Sequence, residues 1–326
     1  MHHQRGLARR ALLSAETRVF FSSTASSSPS WFSSLWDHFR HARAEDTTTS
    51  RSRVAVLVDG NNLLHLNYNR NARKKSNLGH VGGALGALEQ IMTALEKYDP
   101  DRVCVFFDTV PASLLKEVLA SSKSMHKQHQ LLIQTLQRYN VAVVQEPGVK
   151  ADDLIASYTK ASTRAGLNVV VVSHDNDFYP LAQDGPPRVD LFLPVYVPAV
   201  VFDAGRIQRR LGPALPWYAD VIALCGDKFK KKSPGVPGGI ARPDAVALIS
   251  KHGGLLPLLD RLDEMENEDL RERIKINADV IKAAYVDIKL IDDLALPAPL
   301  ETMAASRIDI RGLWDVVHTP SLFRKR

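Results

Sequence analysis

Apolar runs rich in Val and Phe recur along this chain, and acidic signals stand beside them. Val54 to Val58 ends at Asp59, and Val103 to Phe107 ends at Asp108. Val169 to Ser173 leads into His174-Asp175-Asn176-Asp177, and Lys150-Ala151-Asp152-Asp153 opens a further segment. Runs of this kind fit strands buried on both faces of a parallel sheet. Open α/β sheets bind ligands at the carboxyl ends of their strands. Carboxylates gathered at that edge repel one another unless cations lie between them. Oxygen-only ligands favour Mg²⁺ or Mn²⁺, so the pattern predicts a divalent-metal site.

The 326 residues suffice for one large α/β domain with an appendage, or for two modest domains. No apolar run is of membrane length, and no membrane partner is expected. Cys104 and Cys225 lie in apolar stretches, as buried reduced thiols do. Of the net charge of +6, +4 sits in residues 1–53, leaving only +2 for the rest. Nucleic-acid binding therefore needs local basic patches.

Residues 1–53 look like a mitochondrial presequence and linker, which predicts the matrix as location. Arg5, Arg9, Arg10 and Arg18 occur there without a lysine, before a Ser/Thr-rich tract from Ser22 to Ser30. Strands, helices and turns then alternate, which implies a parallel sheet with right-handed crossovers over residues 54–202. Helices are expected at Gly83 to Tyr98, Ala112 to Ala120, His126 to Tyr139 and Asp152 to Ala165. Residues 203–295 carry helical patterns only, including one from Leu270 to Leu290, and residues 296–326 form a C-terminal tail.

Hydrolysis of a phosphodiester by two metals needs ions about 3.5–4 Å apart, bridged and flanked by carboxylates. Asp59, Asp108, Asp152, Asp175 and Asp177 are placed to supply them. Asp152 and Asp153 fall in a first helical turn, where the dipole favours acids. Two basic patches are candidates for nucleic acid. Arg70, Arg73 and Lys74 follow the first strand; Lys228, Lys230, Lys231 and Lys232 follow Cys225-Gly226-Asp227. The latter run leads to Gly235, Gly238 and Gly239 in a Gly/Pro turn whose backbone N–H groups can hold phosphate.

Val58-Asp59-Gly60-Asn61-Asn62-Leu63, Val105-Phe106-Phe107-Asp108, Gly148-Val149-Lys150-Ala151-Asp152-Asp153, Ser173-His174-Asp175-Asn176-Asp177 and Leu224-Cys225-Gly226-Asp227 before Pro234-Gly235-Val236-Pro237-Gly238 occur in the order found in structure-specific 5′ nucleases. Over residues 53–295 the chain resembles the 5′-nuclease domain of bacterial DNA polymerase I and, more distantly, flap endonucleases. With its presequence it is similar to the structure-specific endonuclease of kinetoplastid mitochondria. The resemblance implies a PIN-like parallel sheet flanked by helices, followed by a C-terminal helix-three-turn-helix region that grips duplex phosphates with a K⁺ ion. It implies two divalent ions, with Asp59, Asp108 and Asp152 beside one and Asp175, Asp177 and Asp227 beside the other. Asp153 completes the acidic set. A helical arch would arise between Asp108 and His129. DNA flaps, nicks and RNA primers on DNA would be the substrates.

The chain departs from the family pattern in specific places. Lys150 stands where the family has Glu, and Lys230 where it has a second Asp, in a segment with one extra residue. Gly239-Ile240-Ala241-Arg242-Pro243 alters the turn, and the arch region is short. Exchanging two carboxylates for two ammonium groups shifts the site's charge by about four units. At about 4 Å and an effective dielectric near 20, each unit pair is worth at most ~4 kcal/mol. Two expectations follow: an active Mg²⁺-dependent 5′ nuclease, or a catalytically silent descendant that binds nucleic acid or a ribonucleoprotein. A PIN-like ribonuclease, suggested by Asp59-Gly60-Asn61-Asn62, is disfavoured by the Gly226 to Gly239 segment.

Overall fold

A computed structural model describes residues 52–74, 81–109, 115–194, 198–227 and 233–319; for 71–74 and 115–122 only the backbone is considered. Residues 1–51, which hold the expected presequence and nearly all of the expected linker, lie outside these residues, as do Lys228, Lys230, Lys231 and Lys232.

The strands are β1 (Val54–Asp59), β2 (Arg102–Phe106), β3 (Ala142–Val144), β4 (Asn168–Val172), β5 (Val189–Leu193) and β6 (Val200–Phe202). They lie in the order β3-β2-β1-β4-β5-β6. Every pairing is parallel except β5 with the edge strand β6. The expected parallel sheet is thus present, with an antiparallel edge that the sequence pattern did not predict. Strand order reverses between β1 and β4, the switch point where such sheets open a crevice.

Alternate residues of β1 face opposite layers, as the period of two requires. Val56 and Val58 join a core beneath α1 (Gly60–Lys74), α2 (Gly82–Tyr98) and α3 (Leu115–Arg138). Ala55 and Leu57 join the other core with α4 (Ala151–Arg164), α5 (Ala204–Leu211) and α6 (Tyr218–Cys225). A third core unites α6, α7 (Arg242–His252), α8 (Leu255–Asp260), α9 (Glu268–Ile276) and α10 (Ala278–Ile288).

Two expected elements are corrected. The two helices expected between Ala112 and Tyr139 are one, α3, whose described helix runs unbroken from Leu115. The single helix expected from Leu270 to Leu290 breaks at Asn277, which caps the end of α9 and the start of α10. The tail returns to the sheet: Arg102 bridges Ala304, and α11 (Ile310–His318) buries Leu313, Val316 and Val317 in the first core. Among the described residues no helix is long and apolar enough to cross a membrane.

Residues 287–298 strap α4. Asp153 accepts from the Ile291 N–H at 2.9 Å. Ser157 Oγ donates to the Ile291 carbonyl and accepts from Leu294 N–H. The Tyr158 hydroxyl donates to the Ala298 carbonyl at 2.6 Å and accepts from Ala298 N–H at 3.0 Å. Lys160 pairs with Asp292 at 2.7 Å. A segment with little secondary structure is thereby held to the helix that carries Asp152.

Candidate acidic site at the sheet edge

Asp59 ends β1, and helix α1 begins at the next residue. Gly60 permits this: a Cβ there would fall 2.4 Å from the Phe107 ring and 2.9 Å from the Phe106 carbonyl oxygen. The Asp59 carboxylate is buried. It accepts from Asn62 N–H at 2.9 Å and from the Ser173 hydroxyl at 2.8 Å. Burial pushes its carboxyl up to about 8, with Asp152 and then Asp175 adding repulsion that the two hydrogen bonds only partly offset. The carboxylates expected at the strand ends are therefore close enough to act on one another.

Asp108 follows β2. Its oxygens accept from Asn61 Nδ2 at 2.6 Å and from the Ala151 N–H, in the first turn of α4, at 2.8 Å. Asp175 caps the 3₁₀ turn Asn176–Leu181 by accepting from Asp177 N–H, while its own N–H donates to Ser173 Oγ. Asp177 is buried there. Asp177, Asp175 and Asp227 all act on the buried Tyr218 hydroxyl at the start of α6, whose pKa rises through burial first and through these three carboxylates next.

One of the Asp153 carboxylate oxygens accepts from the Ile291 N–H of the strap. Neighbours in a helix point about 100° apart, so Asp152 and Asp153 serve different sides of α4.

Asn61, Asn62 and Ser173 were quoted in the motifs without a role. They are the scaffold of the site: Asn61 holds Asp108, Asn62 spans Asp59 and the His174 N–H, and Ser173 ties Asp59 to Asp175. For Asn61 and Asn62 the signal was an amide pair one residue beyond the first aspartate, past Gly60. Two imidazoles border the site. His174 is pushed down to about 4 by burial and then by Arg70. His129, edge-on to Phe107 with ring centroids 5.0 Å apart, is pushed down to about 4 by burial and then by His126 and His65. Both are neutral at neutral pH.

Of the expected nucleic-acid contacts, Arg70 is exposed and close enough to act on His174. Arg73 and Lys74 extend α1, though their side chains lie outside the described residues. Beyond α6, Gly226 and Gly235 pack back to back with positive φ; a Cβ on either would fall within 2.6 Å of the other strand of the loop. Asp227 N–H donates to the Ser233 carbonyl at 2.8 Å, closing the loop that carries residues 228–232. Gly238 and Gly239 are exposed in the turn before α7, and Arg273 pins that turn through the Pro237 and Gly239 carbonyls.

The donor set is carboxylate oxygen throughout, which suits a hard divalent cation. Among the described residues no three carboxylates, imidazoles or thiols converge as a ready-made cage. Mg²⁺ is commonly held by one or two carboxylates and several waters, so the arrangement fits it.

A family profile described as "5'-3' exonuclease, N-terminal resolvase-like domain" matches residues 54–211. The chain is 28% identical over 261 residues to the thermostable DNA polymerase I of Thermus aquaticus, covering 77% of this chain and 30% of that protein. It is 22% identical over 234 residues to a 5'-3' exonuclease of Buchnera aphidicola, covering 68% of this chain and 78% of that protein. The chain spans about 30% of the length of the DNA polymerase I relatives it matches. Among solved structures, the T5 D15 protein co-crystallised with metal ions superposes with a TM-score of 0.57 at 15% identity, covering 81% of this chain and all of that one. The bacteriophage T5 D15 flap endonuclease in complex with DNA and metal ions gives 0.55 at 17%, covering 82% and all of that chain. These two likenesses establish the shared fold.

Proposed function

We propose that this chain, similar to the structure-specific 5′ nucleases, is one of them and is a divalent-metal-dependent 5′-3′ exonuclease or flap endonuclease. The observation that carries this reading is the acidic group at the switch point, where Asp152 and Asp175 help push the buried Asp59 carboxyl up to about 8. Such a group is relieved by a cation, and its oxygens suit Mg²⁺ or Mn²⁺. A bound divalent ion offsets charge at the scissile phosphate and acidifies water. Asp59, Asp108, Asp152, Asp175, Asp177 and Asp227 would hold such ions, two of them on the family pattern. Asn61, Asn62 and Ser173 keep two of these carboxylates, Asp108 and Asp59, in place, and Ser173 Oγ also accepts from the Asp175 N–H.

The substrates proposed are 5′ flaps in DNA and RNA primers on DNA. Arg70 and the glycine turn at Gly235 to Gly239 are proposed to contact phosphates, with K⁺ at that turn, as in a helix-three-turn-helix. The Arg-rich, Ser-rich segment before Val54 supports a mitochondrial matrix location.

The test uses a labelled 5′-flap duplex and an RNA-primed duplex, each with Mg²⁺ or Mn²⁺. Cleavage is expected, and Asp175→Asn should lower its rate at least about a hundredfold while leaving binding in place. Binding without cleavage in either metal would sink the enzyme. It would favour instead a silent nucleic-acid or ribonucleoprotein binder, a reading supported by Lys150, whose ammonium stands 3.7 Å from Asp152.

A further inference from the structure

Lys150 is the residue just before α4. Long lysine side chains at a surface usually extend their charge into water. This one, with its side chain 42% exposed, is also bound to the protein: its Nζ donates to the Asp287 carbonyl at 2.7 Å and lies 3.7 Å from Asp152 Oδ2. Asp287 is in the last turn of α10, where carbonyls lack intrahelical donors and carry the negative end of the helix dipole. The ammonium is therefore tethered. A helix terminus holds it on one side and a carboxylate of the acidic group accepts its charge on the other. Asp152 is in turn the charged group that acts most strongly on Asp59.

We infer that Lys150 is a fixed counter-cation that supplies at Asp152 part of the compensation a divalent ion would otherwise provide, so that the site binds one divalent ion tightly and a second only weakly. This rests on the nuclease reading and deepens it. The strap is part of the device, because residues 287–298 are bonded along α4 through Asp153, Ser157 and Tyr158. Lys150 acts through Asp152 and is a positioning residue.

Counting ions separates this inference from the question of turnover. Mn²⁺ binding to the full-length chain is followed by electron paramagnetic resonance without nucleic acid. Lys150→Met, Lys150→Glu and Lys150→Arg are compared with the wild type. One tight ion per chain is expected for the wild type. Lys150→Met should tighten the second by roughly tenfold, the scale of removing a partly exposed like charge next to the ion, and Lys150→Glu by more. Lys150→Arg should match the wild type. An effect of the lost tether alone would show in Arg and Met alike and would overturn the inference. Two equally tight ions in the wild type, or an unchanged second affinity in Lys150→Met and Lys150→Glu, would overturn it too and leave the nuclease reading standing. No bound ion in any of the four proteins would sink both.

Discussion

Asp59→Asn should stabilise the metal-free protein at pH 8 and abolish cleavage. The unfolded chain ionises this group near 3.8, whereas the folded chain keeps the proton to about 8. Between those values the unfolded state binds fewer protons. The stability contributed by the protonated group is fully present below about pH 4 and is lost as pH rises through about 8. A shift of this size corresponds to a few kcal/mol. Asparagine removes the titration and keeps the scaffold: its oxygen still accepts from Asn62 N–H, and its amide can donate to Ser173 Oγ. His129 and His174, held near 4, act in the opposite sense, with stability lost as pH falls from about 6.5. They are common to both proteins and cancel in the difference. Urea unfolding with chelator at pH 5 and pH 8 checks this. The wild type should lose stability over that interval relative to Asp59→Asn, and Mg²⁺ should restore the wild type alone. Parallel pH profiles would show that Asp59 ionises normally. Cleavage equal to wild type in the variant would remove Asp59 from the site.

Much of the core was legible because buried parallel strands leave a local signature. Val54 to Val58, Val103 to Phe107 and Val169 to Val172 are apolar runs that need both faces covered, and their order places Asp59 beside Ser173 at the switch point. The site was legible to the same depth, since a carboxylate at a strand end is fixed by the strand itself. What lay beyond reach depends on pairings across long separations. Nothing near Asp153 in sequence announces Ile291, 138 residues away. Reading Asp152 and Asp153 as a pair therefore counted among the catalytic acids a residue that also anchors the strap. Lys150 was recognisable as a substitution, but its tether required knowing that α10 ends beside α4. The break at Asn277 escaped notice because it is a capping event inside a continuous apolar period, not an interruption of it.

Tyr158→Ala should destabilise the fold by about 3–5 kcal/mol, and Tyr158→Phe by about 1–2 kcal/mol. The side chain is fully buried, with its ring 5.1 Å from that of Phe106 in β2. Its hydroxyl serves both backbone groups of Ala298. Burial pushes the phenol up to about 12, against the hydrogen bond to Ala298, which lowers it. Alanine leaves a cavity between α4 and the sheet and releases the strap as well. Phenylalanine keeps the packing and removes only the clasp, exposing the Ala298 N–H and carbonyl to a partly buried place without partners. The two variants thus separate packing from strapping. Hydrogen exchange provides the local readout. In Tyr158→Phe the amides of Ile291, Leu294 and Ala298, each bonded to an α4 side chain, should exchange faster. Those of β1 should keep their protection. If the strap amides are unaffected, Tyr158 is a core residue only, and the strap is held by Asp153, Ser157 and Lys160. If β1 loosens equally, the strap and the sheet open as one unit. The geometry that brings Lys150 to Asp152 would then be as stable as the fold itself.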